Sequence, residues 1–457
     1  MPSATREQFH KLAHLRSMCR HKSSSMVDAS TVAGIILAGG QGTRLFPLTQ
    51  SRCKPALLFG GRYRLIDIPV SNSLNAGISK IFVLTQFLAR SLHRHIFRTY
   101  HQDSFFPGSI EVLSAEQKPG KSDWFQGTAD AVRQNVEYLL ETQAEFFLIL
   151  SGDQLYRLDY ERLLQCTEQK DVDVWVATLA ISEKEAPRMG VMKINEDNHI
   201  IDFCEKPNTP ELLDRMKTPQ SALKKMGLEA SAGKEFLGSM GIYLFRRSAL
   251  FELLAEDSRD DFGKHLIPSQ VKKGRIAAFV HDGYWEDIGT VESFYNANLA
   301  LNQEHPPFTC HDELSPIFST SHHLPGPRFG NTTIKASTIC EGSIIEADEI
   351  TNSILGQRTV IKRGTIIKDS YIMGNDFYCR PEDPCETFVA SKLPITPSIQ
   401  EDCFITKAII DKNVSIGKRV HLVNKNGLTS YDSENLYVRD GIIVVPGGAT
   451  VPDDFVF

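Results

Sequence analysis

The sequence is short of the cysteine patterns that mark metal and disulfide sites. It has nine cysteines in 457 residues, and no two of them have the CxxC spacing of zinc and thiol redox motifs. An odd number of scattered cysteines argues against a secreted disulfide scaffold, so we expect a reducing compartment. The cysteines are Cys19, Cys53, Cys166, Cys204, Cys310, Cys340, Cys379, Cys385 and Cys403.

An excess of basic residues and a long apolar run are also missing. The chain carries 50 Lys and Arg against 56 Asp and Glu, a formal net charge of −6. That balance argues against general nucleic-acid binding. No apolar run approaches the ~18 residues that a membrane span needs. With 41% hydrophobic and 23% charged residues, the composition is that of a folded, water-soluble protein.

The first 30 residues differ in character from the rest. Residues 1–25 hold five Lys or Arg side chains and a single acid, Glu7, and they end in three serines. No apolar core region is present, so this is not a secretory signal. Two interpretations stay open: a disordered basic tail on a cytoplasmic protein, or a plastid transit peptide.

Apolar runs alternate with helical segments over residues 31–304, which we take as one catalytic domain. Such alternation predicts an α/β fold with a Rossmann-like, doubly wound mixed sheet in which most strands are parallel. Ligands of these sheets bind beyond the carboxyl ends of the strands. We predict strands at 32–37, 80–85, 110–113, 146–150, 173–180, 239–245 and 276–280, and helices at 66–75, 87–98, 128–141, 160–169, 210–226, 248–255 and 291–301.

The period changes after a Pro-, His- and Ser-rich stretch, residues 305–330, which we interpret as a linker. In residues 331–457 an apolar residue recurs about every six positions, which predicts a left-handed parallel β-helix. Residues 374–403 interrupt the repeat. An acyltransferase role would need a reactive histidine, and His421 stands alone, so we favour a structural domain for oligomer contacts. The repeat positions are Ile339, Ile345, Ile350, Ile361, Ile367, Ile372, Phe404, Ile410, Ile416 and Leu422.

A glycine loop follows the first predicted strand. Gly39, Gly40 and Gly42 let the backbone turn tightly and approach a ligand, and Arg44 and Lys54 add two cations. Backbone N–H groups with cations form an anion site, and we expect a polyphosphate there. The loop has neither the GxxxxGK[ST] nor the GxGxxG pattern. The alternative is a tight turn with a solvated arginine.

Two aspartates follow glycine-flanked apolar segments. Asp153 comes directly after the predicted strand at 146–150, and Asp287 precedes Gly289. Magnesium prefers one or two carboxylates together with phosphate oxygens, so the pair could hold Mg²⁺ over a phosphate. The alternative is that both aspartates cap turns. Thr290 is the predicted N-cap of the following helix.

Two further segments carry polar residues with possible binding roles. Glu205 and Lys206 end a predicted polar hairpin and suit contacts to sugar hydroxyls and phosphate, although such a pair is commonly solvated surface. Gly127 and Thr128 begin a predicted helix with Thr128 as its N-cap, and that helix N-terminus could hold a base or a phosphate.

These motifs together resemble one known family. LAGGQGTRLFPLT, SRCKPALLFGG, DWFQGTADAVRQN, FCEKP, DFGKHLIP and DGYWEDIGT are similar to sequences of the sugar-phosphate nucleotidyltransferases. Within them, the chain resembles the ADP-glucose pyrophosphorylase (glucose-1-phosphate adenylyltransferase) group, and its plastid and cyanobacterial branch most. The resemblance covers residues 32 to about 445, including the predicted β-helix.

The resemblance implies the reaction of ATP with α-D-glucose 1-phosphate to give ADP-glucose and diphosphate, for glycogen or starch synthesis. It implies Mg²⁺ as the cofactor. It also assigns roles by motif. The implied residues are Arg44, Lys54, Asp153 and Lys206 for catalysis; Gly39, Gly40, Gly42, Thr43, Gln117 and Gly127 for ATP; Phe125, Gly190, Glu205, Lys206, Ser239 and Asp261 for glucose 1-phosphate; and Asp153 and Asp287 for the metal.

The resemblance further implies a homotetramer and control by phosphorylated metabolites. Lys412 matches one activator lysine of the plastid branch, but Gly447 stands where the other would be. Glu116 stands where the family usually has Gln. Two alternatives remain: a non-catalytic regulatory subunit of the same enzyme, and a transferase that makes another NDP-sugar. Retention of Arg44 and Lys54 favours a catalyst.

Overall fold

A computed structural model describes residues 28–100, 108–116, 124–219, 223, 226, 228, 233–378 and 397–457. Its N-terminal part is built on a nine-stranded sheet, and its C-terminal part is a coil of short parallel strands. The strands of the first part are β1 Val32–Ala38, β2 Leu58–Phe59, β3 Tyr63–Arg64, β4 Lys80–Thr85, β5 Ser109–Ser114, β6 Phe146–Ser151, β7 Gln154–Tyr156, β8 Val174–Ser182, β9 Gly190–Ile194, β10 Ile200–Glu205, β11 Lys234–Arg246, β12 Ile276–Val280 and β13 Trp285–Asp287.

The large sheet is mixed. Strands β6, β1, β4 and β5 lie side by side and parallel, as the alternating pattern predicts. The long strand β11 runs antiparallel to β6, β8 and β9, so the sheet is mixed, as predicted, with more antiparallel pairing than the alternating pattern indicates. The predicted polar hairpin is the antiparallel pair of β9 and β10.

Helices cover the sheet, and two apolar clusters bury its two faces. The predicted helix at 128–141 breaks at Asn135, whose φ of −110° and ψ of 13° are not helical. The predicted helix from Pro210 ends at Met216. The helices are α1 Asp67–Asn75, α2 Arg90–Thr99, α3 Thr128–Gln134, α4 Val136–Leu140, α5 Tyr160–Gln165, α6 Pro210–Met216, α7 Arg247–Glu256, α8 Ile267–Lys273 and α9 Val291–Leu299.

The C-terminal part is a left-handed parallel β-helix, as the six-residue period predicts. Most of its strands stack in parallel faces around an apolar interior, and the strands at 430–432, 437–439 and 442–445 pair antiparallel at the side of one face. Phe404 is an exception to the predicted inward positions, because Ile405 is the buried residue there and Phe404 packs outside against His421. The strands are β14 Arg328–Phe329, β15 Thr333–Lys335, β16 Thr338–Ile339, β17 Ile344–Ile345, β18 Glu349–Thr351, β19 Ile354–Leu355, β20 Val360–Ile361, β21 Ile366–Lys368, β22 Tyr371–Ile372, β23 Phe404–Thr406, β24 Ala408–Ile410, β25 Ser415–Ile416, β26 His421–Leu422, β27 Ser430–Asp432, β28 Tyr437–Arg439, β29 Ile442–Val445 and β30 Thr450–Val451.

Both ends of the interrupting segment join the same coil. The stretch predicted at 374–403 lies partly outside the described residues, but Ile399 bridges Ile361 on one side and Ile416 on the other. Ile399 therefore occupies the rung between β20 and β25 in one face of the β-helix.

The β-helix packs directly on the catalytic part. Tyr371 and Ile354 share one buried cluster with Leu57, Phe59 and Phe294. The Tyr371 hydroxyl donates to the Leu58 carbonyl at 2.9 Å and accepts from the Gly61 N–H at 3.3 Å. The β-helix thus supports the segment that follows Lys54. No helix in the described ranges is long and apolar enough to cross a bilayer.

Candidate active site

The glycine loop lies at the carboxyl end of β1. Gly42 has a φ of 66°, and a Cβ there would lie 3.1 Å from Thr49 Cγ2 and 3.2 Å from Lys54 Cβ. Glycine therefore serves both the left-handed turn and the close approach of Lys54. The Thr49 hydroxyl closes the turn by donating to the Gly42 carbonyl at 3.0 Å. Thr43 is exposed at the start of the next 3₁₀ turn.

Lys54 lies between the two predicted metal ligands. Its Nζ is 2.7 Å from Asp153 Oδ2 and 3.2 Å from Asp287 Oδ1. Asp153 follows β6, and Asp287 ends β13, which pairs with β7 so that Asp287 faces Gln154. Asp153 and Asp287 are far apart in the sequence, and the pairing of the two short strands β7 and β13 brings them together.

Charge sets the ionisation of this trio. Burial by itself lowers the pKa of Lys54, but the two carboxylates outweigh it and hold that pKa above its ordinary value. Burial tends to raise the pKa of Asp153, and Lys54 with the Ser151 hydroxyl pulls it below the ordinary range. At neutral pH Lys54 is therefore held as a cation and Asp153 as an anion, 2.7 Å apart.

Arg44 lies close to Asp287, and both approach Gly289. A Cβ at Gly289 would be 3.1 Å from Asp287 Oδ2 and 3.3 Å from Arg44 Nη2. Gly289 therefore leaves room for the guanidinium and the carboxylate to pack around it. Thr290, as predicted, caps α9, and its hydroxyl accepts from the Ser293 N–H at 3.1 Å.

The predicted sugar-phosphate residues lie around the hairpin of β9 and β10. Lys206 adopts a φ of 50°, fixed by its N–H donating to the Met189 carbonyl at 2.9 Å. Its exposed Nζ lies 3.4 Å from Glu205 Oε1. A Cβ at Gly190 would come within 2.5 Å of Phe203 and 2.8 Å of Glu205 Oε2, so the glycine allows Glu205 its position.

The start of α3 is not arranged as predicted. Gly127, not Thr128, is the N-cap residue. The N–H groups of Ala129 and Asp130 both donate to the Asp260 carbonyl, at 2.8 and 3.1 Å. Protein therefore takes up two of the N–H groups that were expected to face a base or phosphate. A Cβ at Gly127 would lie 2.3 Å from the same carbonyl oxygen.

Thr128 instead ties α3 to Asp261. Its hydroxyl donates to Asp261 Oδ2 at 3.3 Å and accepts from the Phe262 N–H at 3.0 Å. Phe125 is held by the amide of Gln86, which accepts from its N–H at 2.7 Å. Gln117 lies outside the described residues.

One cleft of about 900 Å³ collects most of these residues. The predicted ATP residues Gly42 and Thr43 are not among the residues that line it. Among the described residues, no group of three or more His, Cys, Asp and Glu side chains could hold a metal ion. The predicted residues that line the cleft are Gly39, Gly40, Arg44, Lys54, Phe125, Gly127, Asp153, Gly190, Glu205, Lys206, Ser239, Asp261 and Asp287.

The cleft also contains residues that the sequence did not single out for binding. Trp285 is half-buried and lines the cleft. Gln86 and Gln154 line it as well. For Trp285, its position two residues before Asp287 is the sequence feature that could have indicated a place in the site. For a buried glutamine, a single sequence contains no feature that indicates such a place.

Comparison with known protein families agrees with this architecture. A family model described as nucleotidyl transferase matches residues 33–304. The chain belongs to that family and is a nucleotidyltransferase. A second model, described as the GLGC left-handed parallel β-helix domain, matches residues 322–456. The two domains together are the architecture of ADP-glucose pyrophosphorylase-like enzymes.

Proposed function

We propose that the protein is a glucose-1-phosphate adenylyltransferase that converts ATP and α-D-glucose 1-phosphate to ADP-glucose and diphosphate, for glycogen or starch synthesis. The observation that carries the proposal is the placement of Lys54 between Asp153 and Asp287, in the cleft that Lys206 also lines. Several cations in one cleft suit a reaction in which two phosphate groups meet.

The chemistry needs alignment and charge neutralisation. A phosphate oxygen of glucose 1-phosphate forms a bond to the α-phosphorus of ATP, and the bond to the departing diphosphate breaks. The attacking oxygen is already ionised at pH 7, so a general base is not required. Arg44 and Lys54 would neutralise the ATP phosphates, and Lys206 would hold the sugar phosphate.

The carboxylates of Asp153 and Asp287 fit a magnesium ion. They converge on one cation and keep 24% and 44% of their side chains exposed, so a ligand can reach both carboxylates, although Asp153 also accepts from the Ser151 hydroxyl. When bound there, Mg²⁺ would supply further neutralisation of phosphate charge. Two carboxylates alone leave the remaining ligand positions to phosphate oxygens and water, which magnesium favours.

The test follows diphosphate release from glucose 1-phosphate, Mg²⁺ and each NTP in turn. We expect turnover with ATP well above that with UTP, dTTP or GTP. Preference for UTP or dTTP would favour a transferase that makes another NDP-sugar. Lack of turnover with every NTP would favour the non-catalytic subunit, a role that retention of Arg44, Lys54, Asp153 and Lys206 argues against.

Phosphorylated metabolites are the proposed effectors, and a homotetramer in the cytoplasm, or in a plastid, is the proposed form. Lys412 lies at the domain interface, where burial lowers its pKa and Arg64 and Arg52 lower it further, against the effect of Asp376. A Cβ at Gly447 would be 3.2 Å from Asp411 Oδ2, so a lysine there would extend this cluster. Turnover with and without 3-phosphoglycerate, in wild type and Gly447→Lys, tests the effector proposal.

A further inference from the structure

The side-chain amide of Gln154 connects three segments that line the cleft: its own strand β7, strand β11 and strand β13. Gln154 begins β7, directly after Asp153, and is only 7% exposed. Its Nε2 donates to the Met240 carbonyl at 2.9 Å. Its Oε1 accepts from the Trp285 indole N–H at 3.2 Å. Both ends of the amide are therefore used, each by a different segment.

The Met240 carbonyl is available because β11 bulges at that point. Ser239 pairs with Thr178 and Tyr243 pairs with Val176, so three residues of β11 lie between these pairs opposite a single residue of β8. Gly241, with a φ of 69°, forms part of the bulge. A bulge leaves a backbone group without its ladder partner, and the Gln154 amide supplies one. Ser239 of this bulge lines the cleft.

The Trp285 end of the amide leads to the second carboxylate. Trp285 and Asp287 are the two ends of β13, which pairs with β7 so that Asp287 lies opposite Gln154. Loss of the indole bond would leave this two-stranded pair and the shared Lys54 ammonium as the ties between Asp153 and Asp287. Short two-stranded pairs are weak by themselves.

We propose that Gln154 is a positioning residue that fixes the Asp153 and Asp287 pair relative to the sugar-side bulge at Ser239. The inference rests on the proposed function, because the groups it aligns are those assigned to the two substrates. Gln154 acts through Trp285 and Met240. Glutamine suits the position because the two ends of its side-chain amide supply a donor and an acceptor at the same distance from the backbone.

The first test is spectroscopic and needs no activity. The chain has three tryptophans, so ¹⁹F NMR of 5-fluorotryptophan-labelled protein gives few signals, and Trp285→Phe identifies the one from Trp285. We expect Gln154→Met to shift that signal and leave the signal of the fully buried Trp175 in place. An unmoved Trp285 signal would overturn the proposal.

The matched control is Gln357→Met. Gln357 is also 7% exposed, and its Nε2 donates to Glu341 Oε1 at 2.6 Å in the β-helix. The Gln357→Met variant removes a buried amide of the same size at a site away from the cleft. We expect this variant to keep the Trp285 signal in place and to have wild-type kinetics. If Gln154→Met does not fold, Gln154→Asn replaces it, since its amide is one methylene too short to reach both partners.

The second test separates alignment from stability. We expect Gln154→Met to lower kcat about 10- to 100-fold, because misplacement by about 1 Å costs rates of that order. KM for each substrate should change less than kcat. The combined loss with Trp285→Phe should be smaller than the product of the single losses. Unchanged kcat with a lowered melting temperature would reduce Gln154 to a structural role and overturn the proposal.

These outcomes also distinguish the two proposals. If wild type fails with every NTP while Gln154→Met still shifts the Trp285 signal, the proposed function fails and the bond to Trp285 stands. If wild type is active and Gln154→Met neither shifts the signal nor lowers kcat, the proposed function stands and the inference fails.

Discussion

Arg52 and Lys54 are two residues apart, yet they serve different regions of the molecule. Arg52 pairs with Asp411 of the β-helix, and their side chains are 9% and 2% exposed. Lys54 pairs with Asp153 and Asp287, whose side chains are 24% and 44% exposed. At the domain interface the two side chains neutralise each other and are closed off from solvent. In the cleft the carboxylates keep free faces for a ligand.

The difference teaches where an ion pair is structural and where it prepares a site. A buried pair offers little net stability, but removal of one partner leaves an unpaired charge and is costly. A partly exposed group beside an opposite charge can change partners when substrate or metal arrives. The same turn serves both purposes because the packing of Leu57 and Phe59 on the β-helix holds it in place.

The largest effect should come from the cleft. We expect Asp153→Asn to fold normally and to lose turnover by roughly 10²- to 10³-fold, as for loss of one preorganised electrostatic group. Steady-state diphosphate release measures it, with Asp214→Asn on exposed α6 as the control that keeps wild-type rates. Near-full activity in Asp153→Asn would place the metal and phosphate site elsewhere.

The interface pair should respond in stability first. Arg52→Met leaves Asp411 buried without its cation, and we expect the free energy of unfolding to fall by about 3–5 kcal/mol. The double variant Arg52→Met with Asp411→Leu should recover much of the loss, because no charge then remains unpaired. Denaturant unfolding measures both. A single variant as stable as wild type would contradict the contrast with Lys54.

The sequence predicts more of the fold than of the candidate site. Strand positions follow from apolar runs, and the β-helix follows from its six-residue period. The antiparallel course of β11 did not, because a long apolar strand has the same composition in either direction. Candidate residues could be gathered by motif, whereas their convergence depends on pairings such as Asp287 with Gln154. Buried uncharged partners, Gln154 above all, have no pattern of their own.

Glycine contacts offer a test within the cleft wall. We expect Gly127→Ala to lower the free energy of unfolding by about 1–3 kcal/mol, because its Cβ would overlap the Asp260 carbonyl oxygen and force the start of α3 to move. Gly326→Ala is the control, since a Cβ there has no atom within 4 Å. Equal stability of the two variants would mean that the Asp260 carbonyl moves aside freely.

The smallest effect should come from loss of the Tyr371 hydroxyl. This change tests the hydrogen bonds between the two domains separately from their apolar contact. Tyr371→Phe keeps the ring in the shared cluster and removes only the bonds to Leu58 and Gly61. We expect a loss of about 1 kcal/mol in denaturant unfolding, the usual net value of such a hydrogen bond. Tyr431→Phe, at a side chain that is 40% exposed, should leave stability unchanged. If Tyr371→Phe instead lowered turnover as much as Asp153→Asn, the interface and the cleft would be one functional unit, and the contrast between Arg52 and Lys54 would fail.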